Sequence, residues 1–592
     1  MDLKIASAKP SAEERSAVDS VLGAPTPLGF HVGRGGHERR AARHQLLATL
    51  HAVNDRMGWI SRGAINHIAE RLDVAPADIY GVATFYALFS PTERPLRQVH
   101  VCVDLACRAV GGPLEHDLPV GTHASPCLGV CERAPAALII EAGDPARRAL
   151  AAPVDIAEVR RLAAGGWPDD EMTAAAAVPQ LALEDGDPLE LLGRIGRVDP
   201  ASIDEYRAAG GYEALRRAID MGPAEVIREV TDARLVGRGG AAFPTGRKWD
   251  AVAHQPAQPH HLVCNADESE PGTFKDRVVM EGDPFAAIEA MTIAGFATGC
   301  AHGWLYLRGE YPRCLDVLEA ALDSARHRGF LGADVMGAGF AFDITLVRGA
   351  GAYICGEETA IFNSIEGHRG EPRNKPPFPV EVGLFGQPTV VNNVETLINV
   401  LPILRHGSEA FVARGTPGST GTKLFCLSGA VTRPGVYEVE FGMTLGELIE
   451  LAGGLPDGAA LQAVLLGGAA GTFVGPDDLD LPLTLEGTRE RGATLGSGVV
   501  LVLDDSVDLV DQVQRIAAFF RDESCGQCVP CRVGTVRQEE AVARLAAGKA
   551  KNDDLEVFAD LATVMRDASI CGLGQTAPNA IQSAIQKFGV FS

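Results

Sequence analysis

Gly349-Ala350-Gly351-Ala352-Tyr353-Ile354-Cys355-Gly356-Glu357-Glu358 follows, one residue on, the strand-like run Asp343–Val347. A strand that empties into a glycine-rich turn is where α/β folds place nucleotides, because the turn exposes backbone N–H groups at the strand's carboxyl end. A carboxylate in that turn suits a ribose diol and repels a 2′-phosphate. Outward from this segment, residues of about 190–410 alternate short apolar runs (His261–Cys264, Gly303–Leu307, Asp343–Val347) with helical stretches, which predicts an α/β layer fold.

Other segments of the same region carry candidate ligand chemistry. Gly237-Arg238-Gly239-Gly240-Ala241-Ala242-Phe243 reads G-x-G-x-x-A, near the dinucleotide fingerprint. The stretch before it, Glu225–Leu235, reads as helix rather than strand, which argues against a standard NAD turn; its N–H groups, with Arg238 and Lys248, could still cradle a phosphate. Asn265–Gly272 follows a strand end and is either a ligand loop or an acidic solvated turn. Lys375-Pro376-Pro377-Phe378-Pro379 presents one ring for stacking or for the core, and Asn392-Asn393 either binds a heterocycle or makes a turn.

Flanking this core are two cysteine quartets. Cys525-x2-Cys528-x2-Cys531 with the remote Cys571 crowds three thiolates onto one turn, which favours a [4Fe–4S] cluster over structural zinc. Cys102-x4-Cys107 and Cys127-x3-Cys131 are pairwise and suit [2Fe–2S], with zinc as the alternative. His116 and His123, between those pairs, read as surface loop residues, and the isolated Cys264, Cys300, Cys314, Cys355 and Cys426 as buried inert thiols.

The chain divides on pattern into a flexible arm (1–40), a helical and strand-bearing unit with the first quartet (41–165), a linker (166–190), the α/β core (191–412), a β-grasp-like module (413–507) and a helical unit with the second quartet (508–592). Its 592 residues are 46% hydrophobic and 22% charged, an ordinary globular composition. The net charge of −24 disfavours nucleic acid and anionic membrane surfaces. With neither an apolar membrane-spanning run nor a secretory amino terminus, cysteines are expected as thiols and metal ligands in the cytoplasm.

Taken together, Gly237–Lys248, Asn265–Gly272, Gly349–Glu358, Lys375–Pro379, Val391–Thr396 and the Cys525–Cys571 set resemble the NADH-binding flavoprotein (51-kDa-type) subunit of respiratory complex I. The first 165 residues, through Gly81–Tyr86 and their cysteine quartet, resemble its 24-kDa-type partner. Fusion of the two resembles the diaphorase (beta) subunits of soluble NAD-reducing hydrogenases and of molybdenum or tungsten NAD-dependent formate dehydrogenases. Asp522-Glu523-Ser524 and Met565–Gln575 look closer to the formate dehydrogenase type.

The resemblance implies a multidomain α/β protein: helices plus a thioredoxin-like [2Fe–2S] domain, a Rossmann-like FMN/NAD domain, a β-grasp-like domain and a helical bundle with [4Fe–4S]. It implies FMN rather than NAD on the first glycine loop, held by Gly237, Arg238, Gly239, Lys248, Asn265, Asp267, Glu268, Tyr353, Gly356, Glu357, Asn392, Asn393 and Thr396. Phe243, Glu270, Glu358, Lys375 and Phe378 fall on the NAD(H) side, and Glu270 and Glu357 are the expected catalytic carboxylates. The implied partner is a catalytic subunit with further iron–sulfur clusters, a formate dehydrogenase alpha subunit or hydrogenase subunits. A non-catalytic assembly subunit with two zinc sites is the contrasting reading. Ala242 departs from the family, which usually has glycine there.

Overall fold

A computed structural model describes residues 7–24, 39–550 and 553–591. Three sheets organise them. The first contains β1 (Arg97–Cys102), β2 (Thr122–Ser125), β3 (Ala137–Glu141) and β4 (Arg147–Ala151) in the order β2-β1-β3-β4. Its alternating Val99 and Val101 are buried.

The second sheet is wholly parallel: β5 (His260–Ala266), β6 (Cys300–Leu307), β7 (Asp343–Arg348) and β8 (Thr389–Asn393), in the order β7-β6-β5-β8. Parallel strands are covered on both faces, and β5 accordingly reads as a nearly continuous buried run. The helix Pro284–Thr298, mostly apolar around the single charge of Glu289, is buried along almost its whole length and packs on this sheet.

The third sheet joins β9 (Thr422–Gly429), β10 (Gly435–Glu440), β11 (Leu461–Leu466), β12 (Thr472–Val474) and β13 (Val499–Asp504) in the order β10-β9-β13-β11-β12. Helices Leu509–Glu523, Val529–Ala546, Asp554–Ala568 and Asn579–Phe588 complete the carboxyl-terminal part. No helix among the described residues is long and apolar enough to cross a membrane.

The amino-terminal segment corrects one expectation. Ala12–Leu22, placed by the sequence reading in a loose arm, is a helix with a capping box: Glu14 N–H donates to Ser11 Oγ at 3.1 Å and Ser11 N–H to Glu14 Oε2 at 2.7 Å. Ala17 and Val18 bury against the helix Leu46–Met57, a short apolar face that composition masks. Residues 1–6 and 25–38 of the same stretch lie outside the described residues. His123 is also not a loop residue: it lies on β2, its ring 5.2 Å from that of His100.

The 166–190 stretch is laid along the edge of the third sheet. Gln180 exchanges two 2.8 Å hydrogen bonds with the backbone of Glu438 on β10, occupying edge groups that would otherwise be unpaired. The buried Glu438 carboxylate accepts N–H bonds from Glu190, Leu191 and Leu192 at 3.2, 2.9 and 3.1 Å.

Burial pushes Glu438 from 4.5 up to about 7. A folded-state pKa above the unfolded one means the folded chain holds the extra proton through that window, so this group's stabilisation is complete below its lower value and is lost as pH rises through the upper one. Glu438→Ala strands three backbone donors and is expected to destabilise the junction by about 2–4 kcal/mol. The check is limited proteolysis: faster cleavage within 166–190 in the variant, with the native chain's own cleavage increasing between about pH 4.5 and 7.

Candidate functional site

Several of the segments singled out from sequence lie at the carboxyl ends of the parallel strands. Asn265 on β5 pairs in register with Asn393 on β8, while Arg308 and the Gly349–Glu358 loop follow β6 and β7. The crevice at strand carboxyl ends is where open α/β sheets bind ligands. Ala87 and Leu88 donate 3.0 Å backbone bonds to Gly351 and Ala350, so the segment before β1 pins the glycine run in place.

The loop Gly237–Phe243 is preceded by the helix Pro223–Asp232, as expected, and closes on itself through Gly237 N–H to Phe243 O at 2.9 Å. Gly239 lies so close to Asn393 that a Cβ would stand 3.0 Å from the Asn393 Cβ, a tight contact that would push the Asn393 side chain aside. Ala242 has a φ of 50°, left-handed backbone in which its methyl costs about 1 kcal/mol that glycine would avoid.

Arg238 N–H donates to Thr396 Oγ1 at 2.8 Å, but its guanidinium turns away, donating to Thr420 O at 2.7 Å and lying over the Phe441 ring. Burial lowers it to about 10. Lys248 donates to Val391 O at 2.9 Å and stands 3.9 Å from Glu358; burial outweighs that carboxylate and lowers its pKa. Trp249 Nε1–H holds the Asn392 amide at 2.9 Å.

Across the crevice, Asn265 Nδ2 donates to Gly356 O at 2.7 Å, joining the β5 and β7 loops. Burial raises Asp267 well above the carboxylate range, and its Oδ2 is a buried atom without a hydrogen-bond partner. Glu268 looks inward: it accepts the N–H groups of Asp276 and Arg277 at 2.9 and 3.0 Å, at the start of the helix Lys275–Gly282, and burial raises it to about 7. Glu270 accepts Tyr353 O–H at 2.5 Å and Ala470 N–H at 2.8 Å, and is likewise raised to about 7 by burial.

Glu357 caps the helix Glu358–Ile365 by accepting the N–H groups of Thr359 and Ala360 at 2.8 and 3.0 Å. The Lys375 ammonium bridges Glu357 and Glu358 at 2.9 and 2.7 Å. Phe243 and Phe378, 47% and 53% exposed, are large rings left open to solvent on this side.

Sequence reasoning missed a buried charge cluster below the glycine loop. Glu395 meets Lys275 at 3.1 Å and Lys423 at 3.6 Å, and Lys275 also holds Asp276 at 2.7 Å and Asn393 at 3.2 Å. Burial opposes ionised Glu395, but Lys423, Lys275 and Arg238 outweigh it and hold the pKa below its usual value. The available signal was a run of charges, Lys275-Asp276-Arg277, directly after an apolar turn.

Both cysteine quartets assemble. Cys525, Cys528, Cys531 and Cys571 line one small cavity with Ile354, Pro372, Ile570 and Leu573. Burial pushes the Cys531 and Cys571 thiols up to about 12 and 11, which a metal cluster would reverse by binding thiolates. Cys102, Cys107, Cys127 and Cys131 are all buried, with Cys127 and Cys131 sulfurs 3.3 Å apart. The five isolated cysteines are buried, as expected.

These features fit the groups the sequence implied: a glycine cradle beside Asn393 and an orphaned Asp267 oxygen for a flavin, and one buried and one half-buried thiol quartet for clusters. A parallel strand-end crevice flanked by two cysteine quartets defines a flavin- and iron–sulfur-dependent oxidoreductase.

Comparison with known proteins places it further. Residues 36–115 match the thioredoxin-like [2Fe-2S] ferredoxin family, 230–402 the Nuo51 FMN-binding domain, 424–472 the SLBB domain, and 511–590 the iron–sulfur binding region of NADH-ubiquinone oxidoreductase-F. The HndC subunit of the NADP-reducing hydrogenase of Solidesulfovibrio fructosivorans is 45% identical over 66% of this chain and 80% of that one. The F-type subunit of the NADH-quinone oxidoreductase of Aquifex aeolicus is 45% identical over 67% and 92%. A chain of an NAD+-reducing [NiFe]-hydrogenase crystal structure in the H2-reduced state superposes with a TM-score of 0.79 at 33% identity, covering 93% of this chain and 92% of that one.

The chain belongs to the family of NADH-binding flavoprotein subunits typified by the F-type chain of NADH-quinone oxidoreductase. It is an NAD(P)H oxidoreductase subunit working with FMN, one [4Fe–4S] and one [2Fe–2S] cluster. Cys528→Ser is expected to remove the [4Fe–4S] signal from the EPR spectrum while leaving FMN content and the [2Fe–2S] signal near native, since no cysteine of the first quartet lines the cavity of the second. Quantitative EPR with flavin analysis checks this.

Proposed function

We propose that the chain is the diaphorase (beta) subunit of a cytoplasmic NAD-dependent formate dehydrogenase, passing electrons between NAD(H) and a separate molybdenum or tungsten catalytic subunit that carries further iron–sulfur clusters. The observation that carries the diaphorase part is one hydrogen-bonded line of residues. Tyr353 donates its O–H to Glu270 and its N–H to Glu523, at 2.8 Å, two residues before Cys525. The nucleotide side of the crevice is thereby joined to the loop of the second quartet. FMN, when bound, converts two-electron hydride exchange into the one-electron steps that iron–sulfur clusters carry.

In this reading Gly237, Gly239, Asn265, Asp267, Gly356, Asn392, Asn393 and Thr396 shape the flavin cradle. Arg238, Glu268 and Glu357 hold its loops through the contacts described, and Lys248 and Tyr353 edge it. Phe243 and Phe378 hold the dinucleotide with their open rings, Lys375 fixes Glu358, and Glu270 sets the charge beside the nicotinamide. Cys525, Cys528, Cys531 and Cys571 ligate [4Fe–4S] on the through-route. Cys102, Cys107, Cys127 and Cys131 ligate [2Fe–2S] as a side station. Thirteen free cysteines suit a reducing compartment.

The formate partner is supported by Asp522-Glu523-Ser524 and by Met565–Gln575. A hydrogenase partner is the second reading, supported by the likeness along 93% of the chain to a subunit of NAD+-reducing [NiFe]-hydrogenase. The affinity-purified native complex separates them: NAD+ reduction with formate and none with H2 is expected, and the converse establishes the hydrogenase reading.

Glu358 gives a second test. Its carboxylate would repel a 2′-phosphate, while Lys375 at 2.7 Å would attract one once that charge is gone. Glu358→Gln is expected to improve kcat/KM for NADPH relative to NADH by about tenfold, roughly 1.4 kcal/mol of discrimination. Steady-state assays with both nucleotides check it, and an unchanged ratio removes Glu358 from the ribose site.

A further inference from the structure

Three arginines from distant parts of the chain converge on the loops that carry the first cysteine quartet. Arg277, on the helix Lys275–Gly282, donates Nε–H to Gly129 O at 2.7 Å. Arg308, immediately after β6, donates Nη2–H to Cys127 O and Nη1–H to Glu268 O at 2.7 Å. Arg515, on the helix Leu509–Glu523, donates to Asp104 Oδ1 at 3.4 Å, and Asp104 in turn accepts the N–H groups of Leu105 and Cys127 at 2.9 and 3.0 Å. Their side chains are 1%, 1% and 7% exposed, so solvent screens them little.

Carboxylates also face them. Arg277 meets Glu132 at 2.5 Å and Glu281 at 3.2 Å, Arg308 meets Glu310 at 3.3 Å, and Arg515 stands 3.9 Å from Glu115. With Asp104, five carboxylates face the three guanidiniums, so excess positive charge is not what sets these arginines apart. What distinguishes Arg277 and Arg308 is direction, since each spends a donor on a backbone carbonyl of the Cys127–Cys131 loop although carboxylates lie within reach. Even the packing is tight there: a Cβ on Gly129 would stand 2.2 Å from the Tyr311 hydroxyl.

We infer that Arg308 and Arg277 are positioning residues that set the reduction potential of the [2Fe–2S] cluster from outside the domain that ligates it. One-electron reduction adds a unit of negative charge to the thiolate loop. Buried guanidinium donors aimed at that loop stabilise the reduced state more than the oxidised one, which raises the potential. The inference rests on the assignment of Cys102, Cys107, Cys127 and Cys131 as the [2Fe–2S] ligands.

The test is a potentiometric EPR titration of the full-length holoprotein. Arg308→Gln is expected to lower the reduced-to-oxidised ratio of the [2Fe–2S] cluster about tenfold at fixed potential, a shift of about 59 mV for one electron. Arg308→Lys retains the charge and is expected to shift less, and the [4Fe–4S] midpoint should stay in place in both. Arg277→Gln, reaching Gly129 from another element, supplies the same test if Arg308→Gln does not fold. An unchanged [2Fe–2S] midpoint, or an equal fall in the lysine and glutamine variants, overturns the inference. Absence of any [2Fe–2S] signal in unmodified holoprotein overturns the ligand assignment beneath it.

Discussion

The Glu268 carboxylate, buried at the end of β5, is the contact on which the assembly turns. It satisfies the open N–H groups of the helix Lys275–Gly282, and Tyr311 also donates to it at 3.2 Å. Its own backbone carbonyl takes Arg308. A buried acid raised to about 7 is expensive unless every oxygen is held, and here five donors hold the residue. Groups around it then face opposite ways: Asp267 and Glu270 of its own loop toward the crevice, and Arg277 of the following helix and Arg308 after β6 toward the first quartet.

That division gives the two cysteine sites different relations to the crevice. The second quartet is reached through Tyr353 and Glu523, a line of two hydrogen bonds that ends at the cysteine turn. The first quartet is reached through arginines whose role is electrostatic. Ala87 and Leu88 add backbone bonds to the glycine run, so the amino-terminal unit is an integral wall of the site rather than an appendage. The stretch of 166–190 is likewise sewn to β10 by Gln180 and Glu438, giving the fused halves a fixed rather than a free tether.

Much of the site was legible because its residues carry chemistry in short range. A strand followed by a glycine run located the β7 loop, a strand end followed by an acidic stretch offered the β5 loop as one of two readings, and cysteine spacing located both quartets. The short strands β2, β4, β8 and β12 were not legible, because their residues alternate weakly and depend on neighbours for pairing. The helix Ala12–Leu22 escaped for a related reason: two buried residues and one capping box are a faint periodic signal.

Sequence alone determined the α/β class of the core, the four-plus-four thiol inventory and the glycine positions, since each follows from local spacing, backbone freedom or residue chemistry. Tertiary structure alone decided where charges point. Nothing in the sequence tells that Arg238 turns to Thr420, that Glu268 caps a helix, or that Lys275, Lys423 and Glu395 share one buried cluster. A long side chain can reach in many directions from one Cα, and burial makes only the fully partnered direction affordable.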